Sequence, residues 1–129
     1  LMDESEEFGR SQGLGLVPGK VLQIPTGPVG GETRKIPHIG WNALLPANGV
    51  AAWNNTPLAD VRPGEAVYFV HSFAANPEHP QHRLADCDYA GVTLSAVIGR
   101  DNVFGCQFHP EKSGPVGLRL IRRFLAPSA

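Results

Sequence analysis

An α/β fold is predicted for this 129-residue chain by three features of its second half. The run AVYFVHSF at 66–73 is nearly continuous in apolar, β-branched and aromatic residues and has the length of a strand. GVTLSAVI and NVFGCQFH are two further strand-like runs, separated by GRDN, whose Gly, Asp and Asn favour a tight reversal. GPVGLRLIRRFL at 114–125 then changes period, placing Val116, Leu120, Ile121, Phe124 and Leu125 on one helical stripe.

Taken in order, residues 1–13 are polar, and a short strand at Lys20–Ile24 lies between Pro18-Gly19 and Pro25-Thr26-Gly27. TGPVGGETRK at 26–35 is a flexible connector. KIPHIGWNALLP gives a second extended segment, which Pro37 keeps from being helical. After the Pro63-Gly64 turn, 66–73 is expected as a central strand buried on both faces. NPEHPQHRLADCDYAG, Pro-rich and polar, is expected to be a loop or irregular excursion. The two runs that follow should form a β-hairpin. Ser113 is a plausible N-cap for the last helix, whose Arg residues lie toward its C-terminal end, where the helix dipole favours cations.

Composition narrows the function classes. With 42% hydrophobic and 18% charged residues, the chain is one domain's worth of globular sequence. A formal net charge of -1 supplies no basic field for nucleic acid. Cys87 and Cys106 lack a CxxC spacing, which argues against a zinc site or a disulfide scaffold and fits a reducing cytoplasm. No run of about 18 apolar residues exists to span a membrane. The acidic N-terminus LMDESEEFG is unlike a signal peptide, and Leu1 need not be a natural start. His38, His79 and His82 show no metal spacing, so no metal or cofactor is expected.

FGCQFHPEKSG, 104–114, carries the chemistry. Pro110 disfavours helix at His109, so His-Pro-Glu is expected to leave the strand extended, with His109 and Glu111 leaning to one side. A carboxylate accepting from one ring nitrogen fixes the tautomer and leaves the other nitrogen as a base for a nearby nucleophile. On residue types alone, the ordinary reading is a satisfied histidine beside a solvated carboxylate. By the same reasoning His71 is a packed, hydrogen-bonded histidine, and Trp41 and Tyr68 belong to the core.

The flanking residues change that balance. KIPHIGWN, AVYFVHSF, YAG with SAVI, and FGCQFHPEKSGPVGLRLIRRFL, in this order, resemble the C-terminal portion of the class I glutamine amidotransferases of the HisH type, the glutaminase subunits of imidazole glycerol phosphate synthase. The resemblance implies the C-terminal part of a flavodoxin-like domain and a Cys-His-Glu triad, in which His109 and Glu111 match the histidine and glutamate. It implies glutamine as substrate, with Ser72 and Phe73 offering backbone groups to it. It also implies a cyclase partner with a (β/α)₈ barrel (HisF-type) that receives the ammonia, with Trp41, Tyr68 and Lys112 at the partner interface. The family's Gly-x-Cys-x-Gly-Met-Gln elbow is absent from 1–129, and neither Cys87 nor Cys106 has the glycines of such a turn. The expectation is therefore a partial amidotransferase domain, inactive alone. Two alternatives are an amidotransferase supplying ammonia for amidino-sugar synthesis and a non-catalytic partner-binding fragment.

Overall fold

The computed structural model describes residues 1–26, 35–47, 50 and 53–126. Among them the strands are β1 Glu4–Ser5, β2 Ser11–Gln12, β3 Gly19–Gln23, β4 His38–Ala43, β5 Leu45–Pro46, β6 Ala66–His71, β7 Phe73–Pro77, β8 Arg83–Tyr89, β9 Val92–Arg100 and β10 Val103–Cys106, and helix α1 is Gly114–Leu125. They form sheets in the orders β2-β1-β3-β7, β10-β9-β8-β5 and β4-β6. All pairs are antiparallel except β1 with β3. The α/β expectation holds, with the helix closing the described chain. Residues 27–34 of the expected connector lie outside the described residues.

The expected hairpin is β9 and β10, in register from Val103 opposite Arg100 to Cys106 opposite Val97. Asp101 makes the reversal in the left-handed region at φ 55°, a conformation its short polar side chain tolerates. β10 ends at Cys106, short of the expected His109. Further along, Gln107 still donates its amide to the carbonyl of Ala96.

Two expectations are corrected. Residues 76–91 are not irregular: β8 pairs with β9 through an Ala90-Gly91 turn with φ 48° and 88°. The signal was the alternation of Ala85, Cys87 and Tyr89 with Asp86 and Asp88, which the prolines at 77 and 80 obscured. β6 is not buried on both faces. Val67, Phe69 and His71 point inward and are buried, whereas Val70 is exposed, as are Ile39 and Trp41 on the paired strand β4. Trp41, Tyr68 and Val70 read as core because composition does not distinguish a buried face from an apolar face turned outward.

The core gathers Ile24, Leu44, Trp53, Leu58, Val67, Phe69, Leu94, Val97, Phe108 and Leu120, with Val116 packed against it. The helical stripe is therefore half right: Leu120 is buried and Val116 half-buried, but Phe124 and Leu125 are exposed. Arg119, on the other side, pairs with Glu65.

Ser113 stands at the N-cap position, as expected, and its carbonyl accepts from the Gly117 amide at 3.4 Å, but its side chain bonds to no helical amide. It is buried instead between β6 and the segment before α1. Its hydroxyl donates to the carbonyl of His109 at 2.6 Å and accepts from the amide of Tyr68 at 3.0 Å. The amide of His109 in turn donates to the carbonyl of Tyr68 at 3.0 Å. α1 approaches this segment so closely that a Cβ on Gly117 would lie 1.8 Å from the carbonyl oxygen of Pro110.

Ser113→Ala should lower unfolding free energy by about 1–3 kcal/mol, because it leaves the Tyr68 amide without its acceptor, while the His109 carbonyl keeps the Lys112 amide. Gly117→Ala should also destabilise, by about 1–3 kcal/mol, despite the better helix propensity of alanine. Urea denaturation checks both, and an unchanged midpoint for either variant contradicts the tie. The free edge of β10 and the exposed Ile39, Trp41, Phe124 and Leu125 also predict self-association. Sedimentation should show mass rising with concentration; a monomer throughout contradicts it.

Candidate active site

His109 and Glu111 meet, though not in the way their spacing suggested. His109 is extended (φ -97°, ψ 99°), but Pro110–Lys112 then form one turn of 3₁₀-helix. The triplet thus turns where it was expected to stay extended. Pro110 sits at the first position of that turn, where its fixed φ suits a helix and its missing N–H goes unneeded. The turn swings Glu111 back, and its Oε1 lies 2.9 Å from Nδ1 of His109.

The carboxylate accepts, so Nδ1 carries the proton and Nε2 carries the lone pair. Among the described residues no hydrogen-bond partner reaches Nε2. Both side chains face solvent, at 40% and 58% exposure, so the base is reachable. The main-chain amide of Glu111 itself, and then the His109 ring, hold the Glu111 carboxyl below the usual carboxylate range. Glu111 thus stays ionised and keeps its acceptor role through the neutral range.

The main chain fixes the turn. His109 is bonded to Tyr68 and Ser113 as described, Phe108 packs edge-on against Phe69 with centroids 5.7 Å apart, and the amide of Lys112 donates to the carbonyl of His109. The ring and its orienter therefore hang from β6 and the core.

Neither cysteine is an activated thiol. Burial, followed by the charges of Asp86 and Asp88, pushes Cys87 up to about 12. Cys106 is exposed at the end of β10, yet the apolar surroundings of its sulfur and the charge of Glu111 push it up to about 11. A thiol held that high is a poor nucleophile at neutral pH. No cluster of three or more metal-ligating side chains occurs among the described residues.

Trp41 and Tyr68 face each other across β4 and β6, edge-on with centroids 6.0 Å apart, and Trp41 is exposed where core burial was the ordinary reading. A Cβ on Gly114 would lie 4.0 Å from the Trp41 ring. Trp41, Tyr68 and the start of α1 thus adjoin one another, and exposed Lys112 belongs to the turn just before α1. Ser72 and Phe73 form the crossover from β6 to β7, where the carbonyl of Ser72 accepts from Ile24 and that of Phe73 from the His71 ring. No hydrogen bond, ion pair or ring contact joins this crossover to the His109 ring among the described residues. His71 is a packed, hydrogen-bonded histidine, as expected.

Sequence reasoning missed Ser113 as the anchor of the turn and His38 as the partner of His71. The first could not be found by spacing, because it bridges residues 45 apart. Nor could the second, because the β4–β6 register that sets His38 opposite His71 joins residues 33 apart.

The family description "Glutamine amidotransferase class-I" matches residues 5–127. The chain is 50% identical over 125 residues to the imidazole glycerol phosphate synthase subunit HisH 1 of Legionella pneumophila (strain Lens), covering 97% of this chain and 59% of that protein. It is 48% identical to subunit HisH of Rhodospirillum rubrum and 46% identical to that of Geobacillus thermodenitrificans, covering 97% of this chain and 55% of each relative. It spans under two thirds of the length of these relatives. A match across nearly the whole chain, over a fold that presents an oriented His-Glu pair, shows that the chain belongs to the class-I glutamine amidotransferase family.

Proposed function

We propose that the chain contributes the base and its orienter to a glutaminase centre, in a HisH-type subunit that delivers ammonia to an imidazole glycerol phosphate cyclase. The observation that carries this reading is the 2.9 Å Nδ1–Oε1 contact, which leaves Nε2 of His109 unpartnered and open to solvent. In the reaction, the base at Nε2 takes the proton of a cysteine thiol as its sulfur attacks the side-chain amide carbon of glutamine. The resulting imidazolium, stabilised by Glu111, gives that proton to the amide nitrogen as the C–N bond breaks. Ammonia leaves, and water then hydrolyses the thioester to glutamate, with His109 as base again. As the family resemblance implies, the thiol would come from a nucleophile elbow outside residues 1–129, since neither Cys87 nor Cys106 sits in a glycine-flanked turn and burial raises both thiols.

Ser72 and Phe73 would meet the glutamine backbone groups, as the family resemblance implies. Trp41, Tyr68 and Lys112 would line the surface met by a (β/α)₈-barrel (HisF-type) cyclase, on the open face of β4 and β6. An exposed Trp beside a Tyr and a Lys suits an interface anchor, and the printed names of the relatives favour the imidazole glycerol phosphate reading over amidino-sugar synthesis. Two free cysteines suit a cytoplasmic setting.

The purified 129-residue chain should release no ammonia from glutamine. Activity that Cys106→Ser abolishes would overturn this assignment of the nucleophile. A chimera in which these residues replace their counterparts in the Legionella pneumophila relative should be active. In it His109→Ala should reduce kcat about 10²- to 10⁴-fold and Glu111→Gln by less; an undiminished rate in the His109 variant contradicts the role. In the same chimera Trp41→Ala or Lys112→Ala should weaken titration against the cyclase, or uncouple glutamine-dependent from ammonia-dependent product formation. Wild-type affinity and coupling in both variants would remove these residues from the interface.

A further inference from the structure

Behind the open face of β4 and β6 lies a buried chain of hydrogen bonds that the proposed glutaminase chemistry does not use. His38 and His71 are both buried and stand opposite each other in register. Nδ1 of His71 lies 2.8 Å from the carbonyl oxygen of Phe73, which can only accept, so Nδ1 is protonated. Nδ1 of His38 lies 2.9 Å from Nε2 of His71. At the far end the amide nitrogen of Asn42 lies 3.5 Å from Nε2 of His38.

Asn42 cannot reverse its amide to suit a change. Its nitrogen donates to the carbonyl of Asp88 at 2.8 Å, and its oxygen accepts from the amide of Ala43 at 2.8 Å. Both ends of the chain therefore fix its polarity. Asn42 donates to His38, His38 donates to His71, and His71 donates to Phe73. That order leaves one proton on the link between the rings, hence two neutral rings. A second proton sets donor against donor, between the rings or at Asn42, in a site where burial strengthens the conflict.

We propose that the His38–His71 pair is a latch with a single permitted protonation state: while both rings are neutral it ties β4 to the β6–β7 crossover, and uptake of one proton breaks the link between the rings and frees the Ser72–Phe73 crossover from β4. The surroundings offer a charged pair little in exchange: the Phe73 carbonyl favours a charged His71, but burial outweighs it. His38 is stacked between Phe69, at 5.0 Å, and Tyr89 of β8, at 4.1 Å, and the Tyr89 hydroxyl is committed to the carbonyl of Lys35. From β8, Asp88 contacts the network through its carbonyl, while the residue is exposed. β7 contributes only the Phe73 carbonyl. Among the described residues no Asp, Glu, Lys or Arg is ion-paired to either ring.

The shifts agree with the geometry in sign. Burial, then the nearby charge of His71, lowers His38 from 6.5 to about 4, and burial lowers His71. A group with a depressed folded-state value gives stability that is complete above the unfolded value of 6.5 and is lost as pH falls toward about 4. For one proton, the folding constant should fall about tenfold per pH unit within that window.

Only the consequence for glutamine rests on the proposed glutaminase reading: Ser72 and Phe73 are the residues assigned to the substrate, so acid should weaken glutamine binding before it unfolds the domain. The latch itself is tested without glutamine. Long-range ¹⁵N–¹H correlation spectra of the 129-residue chain at pH 7.5 should show both rings neutral with the proton on Nδ1. On titration, the amide shifts of Ser72 and Phe73 should move together with both rings, at a midpoint well below 6.5. The Ile24 amide, which donates to the Ser72 carbonyl at 2.9 Å, should then exchange faster with solvent. His38→Phe keeps the stack and removes the link, so its Ser72 and Phe73 shifts at pH 7.5 should resemble those of the acid form. If that variant fails to fold, the wild-type tautomers and midpoint decide alone. An Nε2–H tautomer for His71, a midpoint near 6.5 for either ring, or crossover amides indifferent to ring titration overturns the latch. A sound latch with no glutamine effect in the chimera would count against the substrate assignment and leave the latch standing.

Discussion

The geometry of the site depends on the hydroxyl of Ser113. Among the described residues it is the one side chain that joins the His109 main chain to β6 from the far side of the Pro110–Lys112 turn, donating in one direction and accepting in the other. A hydroxyl can do both at once, which explains why the serine at the N-cap position spends its side chain on this tie and not on the helix amides. With the direct bond from His109 to Tyr68, it gives the turn two attachments to β6, and the His109 ring inherits the rigidity of the strand. Gly117 completes the arrangement by letting α1 lie against the carbonyl of Pro110, where any Cβ would collide.

β6 is thus bonded along both edges by different partners, and this organises the chemistry. One edge pairs with β4 and the other carries the turn that holds the base. Its buried face contributes Phe69 to the core, and through His71 it holds the crossover that follows. Its outward face sets Tyr68 beside Trp41 on an apolar surface open to solvent. A surface of that kind on an otherwise well-packed domain suits a partner. The turn that holds the His109–Glu111 pair and this open face share one strand, so a shift of β6 would be felt at both.

Much of this was legible in the sequence, for identifiable reasons. Strong local signals came through: the β9–β10 reversal at Asp101, the helix at 114–125, and the His109–Glu111 pair, which a proline-initiated turn and a two-residue separation bring together whether the backbone is extended or turned. What failed depended on tertiary context. The alternation in 83–89 was hidden by neighbouring prolines, and the face of β6 that looks outward has the composition of a core. Ser113 carries the usual residue type of an N-cap, yet a buried bond to Tyr68 outcompeted the helix amides for its oxygen. The exposure of Phe124 and Leu125 follows from the same limit: periodicity locates an apolar stripe but not how far the core extends beneath it.

The chemistry of the site turns on the orientation of one imidazole. Long-range ¹⁵N–¹H spectra of the wild-type chain and of Glu111→Gln, recorded at neutral pH with the His109 ring assigned, read its tautomer directly. The wild type should hold the proton on Nδ1 and the lone pair on Nε2, and the Gln variant should lose that preference. A wild-type His109 with its proton on Nε2, or a preference unchanged in the variant, would contradict the claim that Glu111 prepares His109 as the base.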